Sequence, residues 1–153
     1  MRCIRMVIGL FGMLSAATPL FASEEVRKPP ENPAIGTLRA GDLQSLPYIC
    51  ECEFFQGPIN GVNTVFATRK QRVVAFVMVD GSMVALRREG KPNDASCRKN
   101  ARHRERWIDG PTAVALDYRV TGRGAEACWF EGRMNVAVGG RTTSTAISGA
   151  CGC

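Results

Sequence analysis

Hydrophobic and polar residues alternate along most of the chain. In 48–55, Cys50, Cys52 and Phe54 fall on one face and Glu51 and Glu53 on the other, the period of a strand. A second strand is predicted over 62–68. Residues 72–79 are apolar on both faces, as in a buried central strand. Asp80-Gly81 follows, then another strand over 82–88. An Asp-Gly dipeptide between two apolar runs is a hairpin signal, because a type I′ turn needs positive φ at both central residues. In 113–121, Val114, Leu116, Tyr118 and Val120 share one face, with Asp117 and Arg119 opposite. Gly122-Arg123-Gly124, Glu131-Gly132 and Gly139-Gly140 read as turns that separate strands over 126–130, 133–138 and 141–148. The last is rich in Thr, which suits a half-exposed pleated surface. About eight short strands at close spacing predict an all-β fold, an antiparallel barrel or sandwich. The exception is 89–110. There Asp94 can cap one short helix near 95–107, with Cys97, Ala101 and Ile108 on one face. The other reading of this stretch is a long irregular loop.

The two ends of the chain read differently from its middle. Residues 1–22 have the form of a secretory signal: Arg2 and Arg5, then an uncharged apolar run from Met6 to Leu20. That run is short for a membrane span, which needs about 20 residues. Cleavage is expected after Ala22, or after Ala17 as the second choice. Cys3 precedes the apolar run and is expected to leave with it. Residues 23–47 are expected to be an extended lead-in, because Lys28-Pro29-Pro30-Glu31-Asn32-Pro33 suits neither helix nor central strand. A single β-domain is expected over 48–153. No later stretch is apolar enough for a transmembrane segment, so the mature chain is expected to be periplasmic or secreted.

Six cysteines remain after the signal: Cys50, Cys52, Cys97, Cys128, Cys151 and Cys153. An even number in an exported chain points to disulfides. Residues two apart on a strand face the same way, with Cα atoms about 6.5–7 Å apart, so a bond within either C-x-C pair is disfavoured. The pairs flank the first and last strands. If those strands are antiparallel neighbours, Cys50 meets Cys153 and Cys52 meets Cys151; a parallel arrangement swaps the partners. Cys97 and Cys128 are left for each other. A second reading makes the two C-x-C pairs a thiol or metal-binding site for a soft ion.

Charge adds a candidate surface. Without the signal, 18 basic residues stand against 14 acidic ones. The window 87–106 holds eight basic and three acidic residues, so it carries the whole positive excess. Arg98, Lys99, Arg102, Arg104 and Arg106 form a candidate anion-binding set. In an exported protein its natural partners are an anionic envelope lipid or polysaccharide, or an acidic protein partner. No nucleic-acid motif accompanies the charge, and nucleic acid is not expected. His103, the one histidine, is expected on the surface within this run. Trp107 and Trp129 are expected to pack in the core or at its rim. No hydrolase, zinc-protease, phosphate-loop or dinucleotide fingerprint is present. No catalytic residues, metal or cofactor are therefore assigned, and a non-enzymatic binding or envelope-associated module is expected.

The Cys50-Glu51-Cys52-Glu53-Phe54-Phe55 strand, the Val77-x-Val79-Asp80-Gly81-x-x-Val84-x-Leu86 hairpin and the Gly149-Ala150-Cys151-Gly152-Cys153 end resemble small exported bacterial proteins of unknown function. The same segments, over about 48–90 and the final strand, resemble the membrane-bound lysozyme-inhibitor family. That resemblance implies an exported β-barrel and, as an alternative function, a protein inhibitor of lysozyme type acting through barrel-edge loops. It assigns no binding residues.

Overall fold

The computed structural model describes residues 31–43, 51–59, 63–69, 72–91 and 97–152. The signal segment, residues 23–30 and 44–47 of the lead-in, and Cys50 and Cys153 lie outside the described residues. The chain forms β1 (Ile35–Gly36), a single turn of helix α1 (Ala40–Leu43), β2 (Glu51–Phe55), β3 (Thr64–Arg69), β4 (Val74–Val79), β5 (Ser82–Arg88), β6 (Arg102–Asp109), β7 (Thr112–Arg123), β8 (Ala127–Val138) and β9 (Arg141–Gly152). All pairings are antiparallel. Strands β2 to β9 follow one another around a closed eight-stranded barrel, and β9 returns to pair with β2. β1 lies outside the ring and pairs with the end of β4, Ile35 opposite Val79. The fold is thus the predicted all-β antiparallel architecture, and of the two forms it is the barrel.

Alternation fills the interior. Cys52 and Phe54, Ala75, Val77 and Val79, Leu86, Trp107, Val114, Leu116, Tyr118 and Val120, Phe130, Met134 and Val136, and Ile147 form one buried cluster. Aromatic rings occupy its centre. Phe54 touches Phe66, Tyr118 and Phe130 at centroid distances of 5.4–5.8 Å, and Phe66 meets Trp107 edge-on at 5.6 Å. These are the offset and T-shaped geometries that the ring quadrupole favours. Asp80 and Gly81 both have positive φ, 49° and 79°, as the hairpin signal requires.

The outer face of β3 is covered as well. Leu38 and Leu43 from the N-terminal arm are buried against Ala67, with Phe76 and Met78 beside them. This helps explain why β3 is buried on its outer face at Ala67 and why β4 reads as apolar on both faces. Asp80 fastens the arm: its carboxylate accepts from the Ala34 amide at 2.8 Å and pairs with Arg141 at 2.8 Å. The described part of the lead-in therefore packs on the barrel through a strand and a helical turn.

Two expectations are corrected. Among the described residues of 95–107 there is no helix: residues 102–109 are strand β6, with His103, Glu105 and Trp107 inward and Arg102, Arg104 and Arg106 outward. A helix would have set charged residues among Cys97, Ala101 and Ile108, whereas the two-residue period separates them cleanly. Glu131-Gly132 is also no turn. β8 runs straight through it, because Gly132 lies so close to β7 that a Cβ would sit 2.6 Å from the Tyr118 Cα. The eight strands of the barrel are therefore reached by merging two predicted strands and adding β6.

Candidate functional site: a charged face on β6, β7 and β8

Both described disulfides gather at the end of the barrel where β6 begins. Cys52 is bonded to Cys151 across the β2–β9 pair, and Cys97 is bonded to Cys128. Because β2 and β9 run antiparallel, Cys52 lies directly opposite Cys151. The sulfurs of Cys52 and Cys151 are thus occupied with each other. The Cys97–Cys128 bond ties the segment before β6 to β8. That segment enters β6 through Asn100, which has φ 68° and donates its amide to the Val120 carbonyl at 2.8 Å. Arg98 and Lys99 sit exposed on this approach.

From Arg102 onward the strand period sorts the basic segment into two populations. Arg102, Arg104 and Arg106 point outward and are exposed. Register extends them into rows across the sheet. Arg102 faces Arg119 on β7, which faces Glu131 on β8. Arg104 faces Asp117, which faces Arg133, and Arg106 faces Ala115, which faces Asn135. Ion pairs join Arg104 to Asp117 at 3.0 Å, Arg106 to Glu89 at 3.1 Å and Arg119 to Glu131 at 3.7 Å. The Arg104 side chain is 80% exposed even so. Pairs of this kind contribute about 0–1 kcal/mol each, so an incoming anion can replace the acidic partner at little cost. Arg98, Lys99 and Arg102 have no acidic partner among the described residues. A depression of about 590 Å³ opens beside Arg104 and Arg106, lined also by Glu89, Lys91, Ala115 and Asn135.

Of the inward population Trp107 was expected in the core, whereas His103 and Glu105 were not. His103 is buried, not on the surface, and stacks on Tyr118 with ring centroids 5.2 Å apart. Glu105 is buried beside it. Its Oε1 accepts from the Tyr118 hydroxyl at 2.7 Å and from Arg72, and it pairs with Arg88 at 3.2 Å. Arg72 also donates to the Tyr118 oxygen at 2.9 Å. Arg88 lies over the Trp107 ring at 5.6 Å. Burial pushes the Tyr118 phenol well above its usual range, and the neighbouring Glu105 carboxylate adds to the effect. The cluster joins Arg72, two residues before β4, and Arg88 at the end of β5 to Glu105 in the middle of β6 and Tyr118 of β7. It gathers two guanidiniums and the Tyr118 hydroxyl around one carboxylate. The alternation of His103, Glu105 and Trp107 with arginines was the signal that could have placed these side chains inside.

Apart from this cluster, the fully buried Arg69 pairs with Glu51 at 2.9 Å and with Glu53 at 3.4 Å. Glu51 and Glu53 thus share the outer face of β2, as their spacing predicted, and serve one cation there. Among the described residues, no group of three or more His, Cys, Asp or Glu side chains is arranged to hold a metal ion. No described helix is long and apolar enough to cross a membrane. No family model, curated protein or solved structure matches the chain.

Proposed function

We propose that the protein is an exported, non-enzymatic binding module that holds an anionic component of the cell envelope on the outer face of β6. The observation that carries this reading is the row of Arg102, Arg104 and Arg106 on a strand whose other face is core. The strand holds the three arginines at alternate positions on one face, and Arg98 and Lys99 precede it in the chain. A guanidinium offers a planar fork of donors to phosphate or carboxylate oxygens. The two disulfides and the apolar segment at the start of the chain fit an oxidising compartment, periplasmic or extracellular. Binding through exposed charges weakens as salt shortens the screening length.

The test is co-sedimentation of the purified protein with lipopolysaccharide and with vesicles containing phosphatidylglycerol. Retention is expected at low ionic strength and its loss at high ionic strength. Joint replacement of Arg98, Lys99, Arg102, Arg104 and Arg106 by Ala is expected to abolish it. Retention that survives those five substitutions would overturn the reading.

A further inference from the structure

Among the described residues, Trp129 is the one aromatic side chain that is exposed. β8 turns it outward, and it is 40% exposed, whereas Trp107 is fully buried. Its six-membered ring is seated against Gly122 of β7 and Gly124 just beyond the strand. A Cβ on Gly122 would come 2.9 Å from the ring's Cε3, and one on Gly124 would come 2.9 Å from its Cη2. Side chains at these positions would occupy the space the ring fills. The indole therefore lies along the sheet, one face on backbone and the other toward solvent. On its far side the facing residue on β9 is Ala150, a small neighbour.

The charged face begins two residues further along β8. Glu131, Arg119, Asp117 and Arg102 line a shallow depression of about 280 Å³ next to Gly132. Trp129 and Glu131 are about 6–7 Å apart along the strand, a distance that one sugar ring can bridge. A flat aromatic platform therefore adjoins a recess with both guanidinium donors and carboxylate acceptors.

We infer that this platform and recess bind a carboxylated polysaccharide. The inference rests on the anion-binding reading above and names its ligand class. A pyranose ring has an apolar C–H face that can cover the indole. Its hydroxyls can donate to Asp117 and Glu131, and a uronate carboxylate can take the fork of Arg119 or Arg102. A lipid surface fits less well. Trp129 lies flat and does not project to insert between headgroups, and Asp117 and Glu131 would face the phosphates with like charge. A phosphate-dense single strand of nucleic acid meets the same two carboxylates.

The experiment titrates the protein with oligogalacturonate, with a neutral cello-oligosaccharide, with oligo-dT and with phosphatidylglycerol vesicles, reading intrinsic Trp emission and calorimetry. Oligogalacturonate is expected to bind and to shift the emission, and the neutral oligosaccharide is not. Trp129→Ala is expected to weaken oligogalacturonate binding about tenfold, while Trp129→Phe retains most of it. Neither variant is expected to change vesicle binding. Oligogalacturonate binding unaffected by Trp129→Ala would overturn the inference, and so would tighter binding of oligo-dT. Arginine-dependent vesicle binding without any oligogalacturonate binding would overturn the inference alone. Failure to bind any anionic probe would overturn the anion-binding reading with it.

Discussion

Glu105 is the buried carboxylate at which two guanidiniums and a phenol meet. Its carboxylate is 2% exposed and faces Arg72, Arg88 and the Tyr118 hydroxyl. Its removal leaves two guanidiniums in the interior without their counter-charge. Glu105→Ala is expected to destabilise the fold by about 3–5 kcal/mol, read from the denaturant midpoint. Tyr118 supplies a pH signature. Its folded-state pKa lies above the unfolded value, so its contribution is complete below about pH 10 and is lost as pH rises toward the folded value. Denaturant midpoints are expected to fall more between pH 9 and pH 11 in the wild type than in Tyr118→Phe; equal slopes would refute this. These interactions were illegible in the sequence because a lone Glu among arginines reads as surface charge. Only the assignment of residues 102–109 to a strand turns His103, Glu105 and Trp107 inward together.

Strand β6 shows how a local reading fails and why. Capping at Asp94 and an apolar spacing across Cys97, Ala101 and Ile108 fit a helix, yet the tertiary demand of a closed ring of strands prevails. The gap between β5 and β7 has to be filled, and the alternation in 102–107 supplies the filling strand. By contrast, the β4–β5 hairpin was legible, because Asp80-Gly81 specifies its turn chemistry and both flanks are apolar. The inner face of β7 was legible from the alternation of Val114, Leu116, Tyr118 and Val120. β8 was divided in two because glycine at position 132 imitates a turn, whereas it serves a close backbone approach. A methyl group there would meet the Asp117 carbonyl and the Tyr118 backbone, neither of which can swing aside. Gly132→Ala is therefore expected to cost about 1–3 kcal/mol or more, measured as a lowered melting temperature. An unchanged melting temperature would show that β7 and β8 can separate there without penalty.

At the scale of the whole molecule, closure rests on β2 and β9, the first and last strands of the ring. The convergence of cysteines from the two ends of the chain was the sequence feature that foretold this pairing. The Cys52–Cys151 bond spans 99 residues and the Cys97–Cys128 bond 31. In the chain-entropy model loops of these lengths correspond to roughly 4–5 and 3–4 kcal/mol. Cys97→Ala/Cys128→Ala is expected to lower stability within the smaller of these ranges. Full reduction is expected to lower it further, both read by chemical denaturation. The location of the charged face was legible as the basic window 87–106, but its extent was not. Arg119, Arg133 and Trp129 belong to distant stretches of sequence, and only the strand register brings them to one surface.

The barrel is lopsided in a way that matters for what it can hold. β7, β8 and β9 each run for twelve residues, while β2, β3 and β4 run for five or six. The long strands make a ribbon roughly 36–40 Å from end to end, with cations and the indole spread along it. A linear polymer laid lengthwise on that ribbon would offer several repeat units for contact at once. Recognition of this kind favours the middle of a long chain over its ends, and affinity would climb with the number of sugar units until the ribbon is fully spanned.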